Sequence, residues 1–182
     1  YVENVIYDKT NNIYSLALAK EQMQEDDTLL IESDLVFDDS MLQLLVENGQ
    51  PNLALVAKYE SWMDGTVVTI DDENRIQRFI PNSQFSYEEI PSYYKTVNVY
   101  KFSQRFSSTM YVPFLEAYCT ALGKNEYYEQ VLRVITMLDN SGMRALPLSG
   151  EQWYEIDDIQ DLDIAESIFA DNQYDKLCSR FG

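Results

Sequence analysis

The chain has 182 residues, 46% of them hydrophobic, which suffices for one domain with a real core. Its 13 Lys and Arg against 31 Asp and Glu give a net charge of −18, which argues against a broad electrostatic hold on nucleic acid or an anionic membrane but leaves room for a phosphate ligand bridged by a metal. Histidine is absent, so Ser-His-Asp and Cys-His catalysis and any His-ligated zinc or haem are excluded within the chain. Cys119 and Cys178 form neither a zinc spacing nor a disulfide framework, which points to a reducing cytoplasm. No stretch approaches the roughly 18 apolar residues of a membrane span, and no signal-peptide pattern is present.

Taken in chain order, residues 2–6 suit a short strand. A chain opening at Tyr1 on such a segment is expected either to begin inside a larger protein or to have a trimmed N-terminus. Asn11 and Asn12 can cap a helix in which Ile13, Leu16, Ala17 and Met23 share one face over about three turns. Residues 28–33 are an apolar run of strand length, and Asp34, Asp38 and Asp39 follow its end. Residues 41–47 read as helix and 49–52 as a turn. Residues 53–57 are apolar on both faces, as in a buried strand of a parallel sheet. Asp64-Gly65 signals a turn before strand 66–70, and 71–74 turns the chain into 75–80, a hairpin-like excursion. Residues 81–91 are irregular. Residues 96–102 alternate as a strand, which would turn Asn98 away from the core. Helices are expected over 111–122 and 126–138, strands over 143–148 and 153–156, and a last helix from Ile159 onward. Strands alternating with helices favour an α/β fold, a three-layer α/β/α sandwich on a mostly parallel, mixed sheet, as a single domain over 1–182. The six glycines are scattered and form no Gly-rich phosphate loop.

Three constellations could carry chemistry. Glu32-Ser33-Asp34 ends an apolar run, where open α/β sheets gather ligands, and a carboxylate there can hold a hard divalent cation. The plain alternative is that Asp34 caps the next segment. Asp157 ends the apolar pair of Trp153–Ile156 and could complete a two-aspartate magnesium site. Asp158, Asp161 and Asp163 read better as a solvated acidic start to the last helix. Trp62, Tyr93, Tyr94, Tyr100, Tyr127, Tyr128, Trp153 and Tyr154 could include rings around a quaternary ammonium group, or could simply pack.

Five blocks occur in order: Thr10-Asn11-Asn12-Ile13-Tyr14-Ser15-Leu16, Leu30-Ile31-Glu32-Ser33-Asp34-Leu35-Val36-Phe37, Met63-Asp64-Gly65-Thr66-Val67-Val68, Val97-Asn98-Val99-Tyr100-Lys101-Phe102-Ser103 and Trp153-Tyr154-Glu155-Ile156-Asp157-Asp158. Together they resemble the nucleotidyltransferase family with the glycosyltransferase-A-like fold. Within it, the blocks are most similar to the bacterial choline-phosphate cytidylyltransferases and their aminoethylphosphonate-type relatives. The resemblance implies a reaction in which a phosphate or phosphonate oxygen of a small phosphorylated alcohol attacks the α-phosphorus of CTP or another nucleoside triphosphate, releasing pyrophosphate. It implies magnesium held by Asp34 and Asp157, with positioning and charge neutralisation carrying the catalysis. Asn11, Asn12 and Ser15 are expected on the nucleotide side. Trp62, Asp64, Gly65, Asn98, Tyr100 and Tyr128 are expected around the acceptor, with Glu155 as a counter-charge to a cationic head group.

One departure is large. The family opens with a strand and a loop of the type Leu-Ala-Ala-Gly-x-Gly-x-Arg followed by Pro-Lys, and nothing like it stands in this chain. The resemblance therefore implies an N-terminally truncated form of the fold, the C-terminal two-thirds, inactive as a fragment and with a sheet edge that a homodimer could cover. Residues 177–182 read as an unfinished tail, and in some relatives a pyridoxal-phosphate aminotransferase domain follows. Alternative readings are a sugar-1-phosphate nucleotidyltransferase, a nucleotide-sugar glycosyltransferase with Glu32-Ser33-Asp34 in place of Asp-x-Asp, and a non-catalytic structural or regulatory fragment.

Overall fold

A computed structural model describes residues 1–138 and 141–178, the last eight of these as helical backbone. In chain order the regular elements are α1 (Asn12–Leu18), α2 (Lys20–Glu25), β1 (Thr28–Ile31), β2 (Leu35–Phe37), α3 (Ser40–Glu47), β3 (Leu53–Lys58), β4 (Val67–Ile70), β5 (Ile76–Ile80), β6 (Tyr94–Phe102), α4 (Gln104–Phe106), α5 (Val112–Leu122), α6 (Glu129–Ile135), β7 (Arg144–Pro147), β8 (Trp153–Glu155) and α7 (Ile159–Cys178). A π-helical turn, Ser107–Tyr111, joins α4 to α5. The chain divides into two compact units, one of Tyr1–Leu30 with Gly49–Leu148 and one of Ile31–Asn48 with Ser149–Gly182. Among the described residues, no helix is long and apolar enough to cross a membrane.

The larger unit is built on a mixed sheet of strand order β5-β4-β6-β3-β7, with β1 also pairing β6. β3 runs antiparallel to β6 and parallel to β7, and β4 runs antiparallel to both β5 and β6. The α/β class and the mixed character of the sheet are those read from the sequence; β3–β7 is parallel, while β3–β6, β4–β5 and β4–β6 are antiparallel where a mostly parallel arrangement was expected. β3 lies between two other strands, and its first five residues are buried, so both of its faces are covered and both are apolar. One face of the sheet meets the helices. Ile13 and Met23 from α1 and α2, Tyr111, Val112 and Leu115 around α5, and Val131, Leu132 and Ile135 from α6 pack on Ala54, Val56, Val68, Tyr100 and Phe102. Phe102 stacks on Tyr111 with centroids 5.0 Å apart, and each such buried ring contributes about 1.5–3 kcal/mol. Burial, followed by the charge of Glu129, pushes the Tyr111 hydroxyl well above its usual pKa, so it stays neutral. A smaller cluster of Val67, Ile80 and Tyr93, flanked by Tyr59, Phe85 and Ile90, lies beside it.

Three expectations are corrected. Residues 2–6 form no strand: Asn4 Oδ1 accepts from Ile6 N at 3.2 Å and Asn4 Nδ2 donates to Thr10 Oγ1 and Ser15 Oγ, so an asparagine side chain organises a turn where a strand was expected. The first helix is broken at Ala19 into α1 and α2. Asn98 does not face outward. It is 5% exposed, and β6 carries a bulge there: Ala54 pairs with Tyr100 but Val56 pairs with Thr96, which defeats simple alternation.

The smaller unit holds an antiparallel ribbon of β2 and β8, with Leu35 opposite Glu155 and Phe37 opposite Trp153. Hydrogen bonds extend it at both ends, Ile156 N to Asp34 O at 2.8 Å and Asp38 N to Gln152 O at 2.9 Å. α3 and α7 complete the unit. Residues 179–182 of the expected tail lie outside the described residues.

Candidate functional site

In the smaller unit, three carboxylates converge. One oxygen from each of Glu32, Asp34 and Glu155 lies within 4.8 Å of the others, all three side chains being half-buried. The local reasons are simple. Glu32 directly follows β1 and Asp34 lies in the turn that leads into β2, so a short link keeps the two close. The β2–β8 register sets Leu35 opposite Glu155, and the Ile156 N to Asp34 O bond fixes Asp34 beside that strand. Asp34 Oδ1 is buried and has no hydrogen-bond partner among the described residues. A buried carboxylate oxygen without a donor is costly, and a second acceptor cannot relieve it, whereas a hard cation can. The donor set therefore fits magnesium or calcium.

Asp157 is exposed and stands outside this group; its backbone N–H donates to Asp161 Oδ2 at 3.1 Å, as does that of Asp158. Asp161 thus closes the turn that starts α7, and with Asp158 it caps that helix. Asp161 also accepts from Tyr154 Oη at 3.3 Å; burial first and the charge of Asp161 next raise the Tyr154 pKa. Sequence reading named Glu32 within its motif without making it a ligand, and gave Glu155 to a head group. The two-residue spacing of Glu32 and Asp34 was the available signal for the first. For the second it was the Leu35-Val36-Phe37 triplet, too short for its alternation to announce a strand.

In the larger unit, Asn11 caps α1, its Oδ1 accepting from Asn12 N at 2.7 Å. Asn12 Oδ1 accepts from Tyr128 N at 3.0 Å, tying α1 to the start of α6, and Ser15 Oγ accepts from Asn4. Tyr100 and Tyr128 lie in the main core with their rings edge-to-face at 5.9 Å. Trp62 differs: it is 49% exposed, and its Nε1 donates to Glu60 Oε2 at 3.0 Å, so ring and carboxylate share one turn. Asp64 Oδ1 accepts from Gly65 N and from Asn82 Nδ2, both at 2.8 Å, which shapes the turn entering β4. Gly65 takes φ +91°, a left-handed value that suits glycine. Asn98, at φ +58°, accepts from Thr96 Oγ1 at 3.1 Å.

Among solved structures, a CTP:phosphocholine cytidylyltransferase from Streptococcus pneumoniae is similar with a TM-score of 0.73 at 22% identity, over 91% of this chain and 67% of that one. The chain has the nucleotidyltransferase fold. An inositol-1-phosphate CTP transferase from T. maritima shares the fold with a TM-score of 0.60 at 19% identity, over 84% of this chain and 58% of the other. In sequence, a CMP-5'-(3-aminopropyl)phosphonate synthase from Streptomyces rubellomurinus is 27% identical over 171 residues, 93% of this chain. The chain spans 27% of that protein's length. No family model matches the chain. The nucleotidyltransferase fold is the one the five sequence blocks resemble, and the carboxylate group falls in the second and fifth of those blocks.

Proposed function

We propose that the protein carrying this chain transfers CMP from CTP to a small phosphorylated alcohol or a phosphonate. An oxygen of the acceptor's phosphate or phosphonate bonds to the α-phosphorus of CTP as the bond to the leaving pyrophosphate breaks. The observation that carries this reading is the convergence of Glu32, Asp34 and Glu155 around a buried carboxylate oxygen with no donor. Glu32, Asp34 and Glu155 would hold magnesium, and Asp157, matched to the family's second aspartate, is a further candidate. Bound there, magnesium would supply the positive charge that a triphosphate and its leaving pyrophosphate require. Phosphoryl transfer needs little covalent work from the protein, so a chain without histidine suffices.

The acceptor class follows from the similar proteins and from Trp62. The names of those proteins concern phosphocholine, an aminopropylphosphonate and inositol 1-phosphate. An exposed indole hydrogen-bonded to a carboxylate favours a cationic head group over a neutral polyol, since the ring face attracts a cation and Glu60 supplies the opposite charge. The test is pyrophosphate release by the full-length gene product with CTP, magnesium and each of choline phosphate, 3-aminopropylphosphonate and a sugar 1-phosphate. Turnover with a cationic acceptor is expected. Turnover confined to the sugar phosphate would overturn the acceptor class, and turnover with none would overturn the reaction.

A further inference from the structure

A cavity of about 150 Å³ lies between β5, the segment 81–93 and the C-terminal end of α6, all within the larger unit. Four consecutive residues of β5, 77–80, line it. Successive side chains of a strand point to opposite faces, so the cavity abuts the outer edge of that end strand. Its inner wall is apolar, since Phe79, Ile80 and Tyr93 are buried there. Met137, 70% exposed, stands at the rim. None of the lining residues belongs to the carboxylate group or to the acceptor turn described above.

The charged residues of the lining are Arg78, Glu89 and Arg133. Acids outnumber bases 31 to 13 along the chain, and here the balance is reversed. Arg78 Nη2 donates to Glu89 Oε2 at 2.7 Å, and Tyr93 Oη donates to the same oxygen at 3.2 Å. Arg78 and Glu89 thus answer each other, and the surplus positive charge of the lining is that of Arg133. Arg133 is half-buried, and neutral amide oxygens hold its fork: Nη1 donates to Gln130 Oε1 at 3.3 Å and Nη2 to Gln84 Oε1 at 3.0 Å. These amides orient the guanidinium and leave its charge in place. Gln84 is exposed, so an oxyanion can take its place on the fork and exchange a neutral acceptor for a charge-assisted one. Small-ligand sites combine apolar walls with a few convergent polar groups, and about 150 Å³ has room for a body the size of benzene, far short of a nucleotide. We propose that this cavity binds a small organic oxyanion, a carboxylate or phosphonate with a short apolar body, its oxygens on the Arg133 fork and its body against Phe79, Ile80 and Tyr93.

The same oxyanion chemistry is carried by the proposed acceptor, so the test separates a second site from the acceptor turn. Full-length protein labelled with 13C-methyl methionine is titrated, without magnesium, with butyrate, with methylphosphonate and with butyramide, the neutral counterpart of butyrate. Met137 reports the cavity and Met63 the acceptor turn, each resonance being assigned from its leucine substitution. Expected are saturable shifts at Met137 with butyrate and methylphosphonate, with dissociation constants on the order of 1–10 mM, and binding at least about tenfold weaker for butyramide. Arg133→Met should weaken both anions by about ten- to a hundredfold. Arg133→Lys, which keeps the charge without the fork, should weaken them by at least about fivefold and carries the comparison if the methionine variant does not fold. No shift at Met137 up to about 50 mM anion, equal affinity for butyrate and butyramide, or anion binding unchanged in both variants overturns the proposal. A response at Met63 alone, insensitive to Arg133→Met, would place the oxyanion at the acceptor turn and also overturn it.

Discussion

Asp34→Asn removes one charge from a group of three without changing its shape. Two unit charges 4.8 Å apart repel by about 3.5 kcal/mol at an effective dielectric near 20, and by about 0.9 kcal/mol in bulk water. The half-buried carboxylates lie between these limits, so each pair involving Asp34 opposes folding by about 1–3 kcal/mol when no cation is present. An asparagine Nδ2 in place of the buried oxygen would also face acceptors on Glu32 and Glu155. Metal-free Asp34→Asn should therefore be at least as stable as wild type. Magnesium should stabilise wild type by about 1.4 kcal/mol at tenfold over its dissociation constant, a rise of about 2–4 °C per kcal/mol for a chain of this size, and should leave the variant unmoved. Thermal unfolding of the full-length protein with and without about 10 mM magnesium reads both effects. A variant that loses more than about 1 kcal/mol without metal and keeps the magnesium shift would show that Asp34 only caps its segment.

Glu155→Gln should abolish the magnesium shift as Asp34→Asn does, while Asp157→Asn should keep most of it; the reverse order would move the metal toward the start of α7. Trp62→Ala should raise KM for a choline-like acceptor roughly thirtyfold and leave KM for CTP unchanged, since a desolvated ammonium–ring contact contributes about 2 kcal/mol. Equal effects on both substrates in steady-state kinetics would make Trp62 a support for the turn. Asp71 accepts from the backbone N–H groups of Arg75 and Glu73, which hold its carboxyl below the usual carboxylate range. A carboxylate whose folded pKa is depressed contributes stability above its unfolded pKa and loses it as pH falls through the folded value. The stability gap between wild type and Asp71→Asn should therefore be full at neutral pH and close below about pH 4, and a gap constant down to about pH 2 in denaturant titrations would show that the charge plays no part.

Much of the fold was legible because strongly patterned runs leave little choice. Leu53–Lys58, Ile76–Ile80 and Val112–Leu122 stand within a residue or two of where apolar spacing sets them. What escaped depends on partners far away in sequence. β2 has three residues and acquires strand character only by pairing with β8. The Asn4 turn uses side-chain acceptors in place of a strand ladder, and period-two alternation does not register that competition. The site divides in the same way. The positions of Asp34 after β1 and of Trp62 beside the Asp64-Gly65 turn were readable in the sequence. The place of Glu155 beside Asp34 needed the β2–β8 register.

Backbone strain separates an ordinary turn from a place where the chain gives up stability for another purpose. Asn74 and Asn98 both take φ near +60°. Asn74 does so in the loop from β4 to β5, where its N–H donates to Asp71 O and asparagine is an accepted left-handed turn residue. Asn98 does so inside a strand, buried, at a bulge two strands from the edge β5. A side chain in that region costs about 1–2 kcal/mol relative to glycine, less for asparagine than for alanine. Asn98→Ala should therefore be less stable than Asn98→Gly by about 1 kcal/mol, measured by urea denaturation at matched slopes. Thr96 Oγ1 loses little in either variant, because Thr66 O already accepts from it at 3.1 Å. Equal stabilities for the two variants would mean that the bulge relaxes once the asparagine is gone, so that its amide, not the neighbouring sheet, holds β6 out of register there.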